Sequence, residues 1–206
     1  MARVFALLAL GLCLARPVPA AMAESTDGAA DFIRQVGREI PVVIGDARTV
    51  QAKRVRLLPF ISRVVDVPAV AQYCLGRYWS RATAAQQQEY QRLFLSVIVN
   101  TVATWVGNYD GSAGQSKVVM AAAALVGDET YVPTLVQTGN EPPAQITWIV
   151  NMQSRPPKIR DVVAGGISLR VMQRSDYVAY LGHHDGDIAG LIAVLRQRAA
   201  QTGGTL

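Results

Sequence analysis

LGRYWSRATAAQQQEYQRLF, from Leu75 to Phe94, runs directly into LSVIVNTVATWV, Leu95 to Val106. Thr83 followed by Gln86 is a capping-box pattern, in which each side chain satisfies a backbone N–H at the start of a helix. It predicts that the longest helix opens at Ala84 and continues to about Asn108. Tyr90, Phe94, Val97, Ile98, Thr101 and Trp105 recur at steps of four and three, which places them on one face. Leu93, Leu95, Val99, Val102 and Val106 lie off that face. Ten of the fourteen residues from Leu93 to Val106 are apolar, so this helix must be covered on most sides. Ser96, Asn100 and Thr104 interrupt it, and it falls short of the ~20 apolar residues that span a bilayer.

Upstream, residues 28–65 carry apolar and charged positions at helical spacing. Val50, Leu57, Leu58, Ile61 and Val65 give an apolar stripe broken by Arg54, and the run Lys53, Arg54, Arg56 reads as a solvated face. Two helices are expected, with a turn near Gly45-Asp46. Pro41 and Pro59 each lack a backbone donor and should break or kink them. Asp66 can cap a short third helix that has Pro68 in its first turn and Gly76 at its end.

Downstream, the texture changes to β-branched alternation. Lys117–Val126, Thr130–Gln137, Gln145–Met152 and Lys158–Ala164 read as four strands. Gly127-Asp128, Gly139-Asn140 with Pro142-Pro143, and Pro156-Pro157 separate them. Such short connections imply an antiparallel meander. Ile146, Trp148, Val150 and Met152 share one face of the third strand, while Ile159, Asp161 and Val163 share one face of the fourth. After Gly165-Gly166 the chain returns to helix, first near Arg174–Leu181 and again after Asp185. Segregated helices and strands of this kind give an α+β domain: a four-stranded antiparallel sheet with helices packed around it.

The chain opens MARVFALLALGLCLARPVPAAMA. Arg3, a short apolar stretch and the small-x-small site Ala21-Met22-Ala23 predict a signal peptide over residues 1–23, cleaved after Ala23. An uncleaved anchor is the alternative, although the apolar stretch is too short to span. Cleavage leaves 183 of the 206 residues, which suits one domain over residues 24–200 with a flexible tail at 201–206. Loss of Arg3 and Arg16 lowers the formal net charge from +5 to +3. That charge is mild and unclustered, which argues against nucleic acid as a partner. Cys13 follows Leu12 and makes a poor lipoprotein site. Its removal leaves Cys74 alone, so no intrachain disulfide forms, and Cys74 reads as a buried small hydrophobe.

No residue cluster suggests bond-breaking chemistry, a metal site or a cofactor. His183 and His184 are adjacent and lack further His or Cys ligands apart from Cys74, so they read as a polar turn. Gly166-Ile167-Ser168 is not a nucleophile elbow. Nothing matches a phosphate loop or a dinucleotide fingerprint. What remains is surplus apolar surface, which either fills a core or lines a cavity for hydrocarbon.

The blocks resemble the signature of the MlaC family, the lipid-binding components of Mla-type transport systems that maintain outer-membrane lipid asymmetry. The resemblance rests on Leu75-Gly76, Trp79, Ala82-Thr83, Gln86, Tyr90 and Phe94, with Tyr109 and Gly111 near the helix end. It resumes at Asp161-Val162, Gly166-Ile167-Ser168-Leu169, Gln173 to Tyr177, and Gly190-Leu191-Ile192 with Leu195. The spacing fits over residues 30–198. The resemblance implies a deep apolar pocket between sheet and helices that takes the acyl tails of a phospholipid. It also implies a monomeric periplasmic shuttle, an auxiliary component of an inner-membrane ABC transporter complex, which exchanges lipid with an outer-membrane lipoprotein–porin complex. Gly165 departs from the family's acidic residue, and Val102 stands where some members carry an aromatic. The stretch VMQRSDY is similar to a hopanoid-associated subgroup. A hopanoid-like or sterol-type cargo therefore stays open, as do an adaptor that only docks an ABC complex and a secreted hydrolase. Candidate lipid-binding residues are Ile61, Val65, Tyr73, Trp79, Phe94, Ile98, Val102, Trp105, Trp148, Val150, Ile167 and Leu169, with ordinary core packing as the alternative for each. Lys53, Arg54, Arg56 and Arg174 are candidates for head groups or partners.

Overall fold

The structure is a computed structural model that describes residues 20–106, 117–137 and 142–200. Most of the expected leader, the Tyr109–Gly111 part of the resemblance, the Gly139-Asn140 turn and the tail from 201 lie outside the described residues. So does the side chain of Trp105, as do the side chains of residues 20–25.

Helices α1 (Ala20–Ile44) and α2 (Val50–Val64) form the expected pair around a turn at Gly45. Thr49 caps α2, its hydroxyl accepting from Ala52 N at 3.1 Å. Both helices run through their prolines instead of ending there. Pro41 and Pro59 are exposed, and so are Gly37 and Val55, whose carbonyls lose a donor to them. Water can satisfy a carbonyl on the solvent face, so the missing bond costs less there than inside. The basic run is divided. Arg56 faces solvent, but Lys53 is only 5% exposed. Its stem joins the apolar stripe, and its ammonium donates to Val106 O at 2.7 Å, at the negative end of the long helix.

Helix α3 (Val67–Leu75) begins at the Asp66 cap and leads through a 3-10 turn (Gly76–Arg81) to α4 (Ala84–Trp105). The capping box is complete: Gln86 N donates to Thr83 Oγ1 at 3.2 Å, and Thr83 N to Gln86 Oε1 at 2.9 Å.

The antiparallel sheet has six strands instead of four: β1 (Lys117–Met120), β2 (Ala124–Val126), β3 (Glu129–Gln137), β4 (Ala144–Asn151), β5 (Lys158–Ala164) and β6 (Ile167–Ser168). The order is β1-β3-β4-β5-β6, with β2 also on β3. The expected first strand splits because of Pro133 on the neighbouring strand. Ala121 N donates to Pro133 O at 2.9 Å, but Pro133 has no N–H to return. The ladder lapses over residues 121–123 and resumes at Ala124↔Tyr131. The short β6 closes on β5 through Gly165-Gly166, whose φ values of 56° and 81° suit the tight turn between paired strands.

Registers Thr130↔Val150, Val132↔Trp148 and Thr134↔Ile146 place these side chains on one inner face. A bulge between Ile149 and Val150 changes the pattern on β5. Ile149 pairs Asp161, while Val150 pairs Ile159, so Arg160 is the extra residue. Ile159 therefore joins the inner face, and Asp161 takes the outer one, instead of the two sharing a face. Helices α1, α2 and the C-terminal half of α4 cover the inner face. Helix α5 (Leu169–His183) packs against β5 and α3, and α6 (Ile188–Ala200) against α4.

Candidate functional site

Helix α4 separates two apolar clusters, which explains its apolar residues on most sides. The first cluster is entirely helical. Tyr90 and Phe94 meet Tyr177 of α5 at ring-centroid distances of 6.1 and 6.3 Å, and the Tyr90 hydroxyl donates to Ala71 O at 3.0 Å. Trp79 packs edge-on against Tyr90 at 6.5 Å. Burial pushes the Tyr90 and Tyr177 phenols far above their ordinary range. Buried side chains outnumber half-buried ones in this cluster. Phe94 is buried in this helical core, and Trp79 packs half-buried against it.

The second cluster lies between helices and sheet. Ile61 of α2, Val99 and Ala103 of α4, and Val132, Val150 and Ile159 of the sheet are buried there. Val65, Ile98, Val102, Trp148 and Val162 border it and are only half-buried. Here the half-buried side chains outnumber the buried ones. The lining is mainly apolar, and many of its side chains stay half-exposed. Trp148 can present its ring to this interior because its indole N–H donates to Thr134 Oγ1 at 3.1 Å, and that hydroxyl donates to Ile146 O at 2.9 Å. Thr130 Oγ1 is buried in the same layer with no hydrogen-bond partner.

Of the expected residues, Ile61, Val65, Ile98, Val102, Trp148 and Val150 thus come together. Leu169 is half-buried in the first turn of α5. Tyr73 and Ile167 lie elsewhere, at 38% and 59% exposure. Tyr73 is held outward by guanidiniums, with Arg174 at 4.9 Å and Arg170 at 5.2 Å from its ring centroid. Ile167 follows the Gly165-Gly166 turn in β6, and among the described residues most of its side chain is left uncovered. The sequence reading missed Ile33 and Val36 of α1, which line the interior with Ala29. Their signal was present in the i, i+4, i+7 spacing of Ala29, Ile33 and Val36. Val132 was missed as well, although it alternates with Thr130 and Thr134.

The second signature block builds a corner rather than a pocket wall. Asp161, with a side chain 1% exposed, accepts from Val162 N at 2.8 Å, Arg170 N at 2.9 Å and the Ser168 hydroxyl. Ser168 in turn caps α5, accepting from Val171 N at 3.1 Å. That hydroxyl is committed to structure. Arg170 makes a two-pronged pair with Glu129, both contacts at 2.8 Å, and these hold its guanidinium above its usual range. Arg160 pairs with Asp66 at 3.3 Å. A cleft of about 320 Å³ lies here, lined by Val70, Tyr73, Glu129, Arg160 and Arg170 among others. Its two arginines are already matched by carboxylates, so it offers no spare cation to a ligand. Cys74 is fully buried, and burial pushes its thiol up to about 12. His184 bonds through Nδ1 to Tyr180 O at 2.7 Å and stacks on the Tyr180 ring. Among the described residues, no group of His, Cys, Asp and Glu could hold a metal ion, and no helix is long and apolar enough to cross a membrane.

Residues 44–197 match the family model described as MlaC protein. Among solved structures, the chain resembles the phospholipid-binding protein from Ralstonia solanacearum, determined in complex with a phospholipid. The TM-score is 0.73 at 22% sequence identity, over 84% of this chain and 98% of that one. At that identity the likeness is one of fold.

Proposed function

This chain belongs to the MlaC family, and from that premise we propose that it is a carrier of membrane lipid and not an enzyme. The acyl tails of a phospholipid enter the interior between the sheet and helices α2 and α4. Ile61, Val65, Ile98, Val102, Trp148 and Val150 form the walls. One observation carries the reading: this interior is lined mainly by apolar side chains, more of them half-buried than buried, whereas buried side chains dominate the helical cluster across α4.

The energetics fit a carrier. Two acyl tails hold on the order of 30 methylenes at ~0.8 kcal/mol each, so exposing them to water costs on the order of 20 kcal/mol. A carrier must cover most of that area and still release it. Helices packed on a sheet by non-directional contacts can part and close again without breaking a hydrogen-bonded ladder. The protein acts in the periplasm after removal of residues 1–23. There it collects lipid from one membrane's complex and delivers it to the other's, an outer-membrane lipoprotein–porin and an inner-membrane ABC transporter.

Native mass spectrometry of the purified mature protein tests the reading. A bound species with the mass of an intact phospholipid is expected. The same measurement separates a two-tailed phospholipid from a polycyclic triterpenoid. Transfer of labelled lipid between vesicles should accelerate with protein, and the recovered lipid should keep its mass. A protein that never carries lipid would favour an adaptor, and conversion to lysolipid and fatty acid would favour a hydrolase.

A further inference from the structure

The corner formed by the Gly165-Gly166 turn and the first turn of α5 exposes three large apolar side chains. Ile167, Val171 and Met172 are 59%, 49% and 47% exposed. The turn is tight, with both glycines at positive φ, so Ile167 is held at its tip by the β5–β6 pairing. Two arginines without carboxylate partners lie on its α3 side. Arg174, one helical turn beyond Val171, lies over the Tyr73 ring and donates to Tyr73 O. Its guanidinium sits against Gly76, where an added Cβ would come within 2.8 Å. Arg77, next to Gly76, follows on the exposed side of the 3-10 turn, 5.0 Å from the Tyr78 ring centroid, whereas Arg81 lies against Gly186 beyond the far end of α5. Among the described residues neither Arg174 nor Arg77 pairs with an acid, in contrast to Arg160 with Asp66 and Arg170 with Glu129.

An apolar tip beside unpaired guanidiniums matches the layered chemistry of a bilayer surface, where phosphates overlie hydrocarbon. The same arginines would be half-used against an uncharged surface. We propose that this corner is the face by which the protein rests on an anionic bilayer. Ile167, Val171 and Met172 enter the headgroup layer while Arg77 and Arg174 meet lipid phosphates. The inference rests on the carrier reading for its purpose, since a carrier seated on a membrane shortens the path its cargo's tails must take through water. Its test is independent of cargo.

Co-sedimentation of the mature protein is measured with vesicles of phosphatidylcholine alone and of phosphatidylcholine mixed with phosphatidylglycerol. Binding is expected to the mixed vesicles, weakening as salt is raised. Arg77→Gln should weaken it about fivefold. The double variant Ile167→Ser/Val171→Ser should weaken it about tenfold or more, because the side chains it removes contribute only when they leave water. Both apolar sites are exposed, so the melting temperature should hold, and native mass spectrometry should still find lipid. Equal binding by the double variant would overturn the proposal, as would binding indifferent to phosphatidylglycerol. Absence of vesicle binding by a protein that still carries lipid would overturn it and leave the carrier standing. Vesicle binding by a protein without lipid would do the opposite. A doubled mass in solution that Ile167→Ser returns to monomer would assign the corner to a second copy.

Discussion

Asp161 concentrates four interactions on one buried carboxylate: two backbone N–H groups, the Ser168 hydroxyl and the Arg170 guanidinium. Removing it leaves those donors unmatched at a buried position, and an orphaned buried donor costs more than the net worth of its bond. Asp161→Ala should therefore destabilise by about 3 kcal/mol in denaturant unfolding. Asp46 is the control. Its pair with Arg56 is solvent-exposed on the Asp46 side, and Asp46→Ala should cost no more than about 1 kcal/mol. Cys74 carries a pH prediction. Burial raises its thiol from an ordinary 9.0 to about 12, so the neutral form is favoured in the fold. The linked stability is fully present below pH 9 and is lost as pH rises from 9 toward 12. Native protein at pH 8 should resist alkylation by iodoacetamide, and urea-unfolded protein should react promptly. Rapid native labelling would show that the thiol is accessible.

At the scale of elements, α4 is the partition. Its N-terminal half supplies Tyr90 and Phe94 to a buried aromatic core, and its C-terminal half supplies Val99 and Ala103 to the helix–sheet interior. Thr83 fixes where that helix begins. Thr83→Ala should lower stability by about 1 kcal/mol without changing lipid content. Val102 tests the other end. If its half-buried side chain borders space that lipid occupies, Val102→Trp should lower the lipid found by native mass spectrometry while the fold survives. A filled interior would instead respond to overpacking with a loss of roughly 1–3 kcal/mol and unchanged lipid.

The whole molecule couples cargo to stability. A ligand that binds only the folded state stabilises it by RT ln(1 + [L]/Kd), about 2.7 kcal/mol at a hundredfold excess over Kd. Delipidated protein should melt at a lower temperature than the protein as purified, and adding phospholipid should restore the difference. The effect should come from the helix–sheet layer alone. Hydrogen exchange should therefore slow on lipid binding in α2, the C-terminal half of α4 and the inner strands. It should change little around Tyr90 and Tyr177. Equal protection on both sides of α4 would place the cargo elsewhere.

The sequence by itself determined the elements whose signals are local. Thr83 and Gln86 marked the start of α4, Asp66 and Pro68 that of α3, and β-branched alternation marked the sheet. Local chemistry suffices at these points, because a cap or a turn is satisfied within a few residues. The α+β class followed from the order of those elements. Only tertiary structure decided the rest. The periodicity of α4 put Phe94 and Ile98 on one stripe, but Phe94 is buried in the helical cluster while Ile98 lies half-buried between that cluster and the sheet side. Lys53 reads as solvated until the end of α4 brings Val106 O within its reach. Pro133 splits β1 from β2 across a strand pair, and the bulge opposite Ile149 and Val150 sends Ile159 and Asp161 to opposite faces. Tyr73 and Ile167 look like interior residues in a string of apolar letters, yet both stand largely exposed. Periodicity states that a side chain is apolar and which neighbours share its face. What that face meets depends on segments tens of residues away, and no local pattern encodes it.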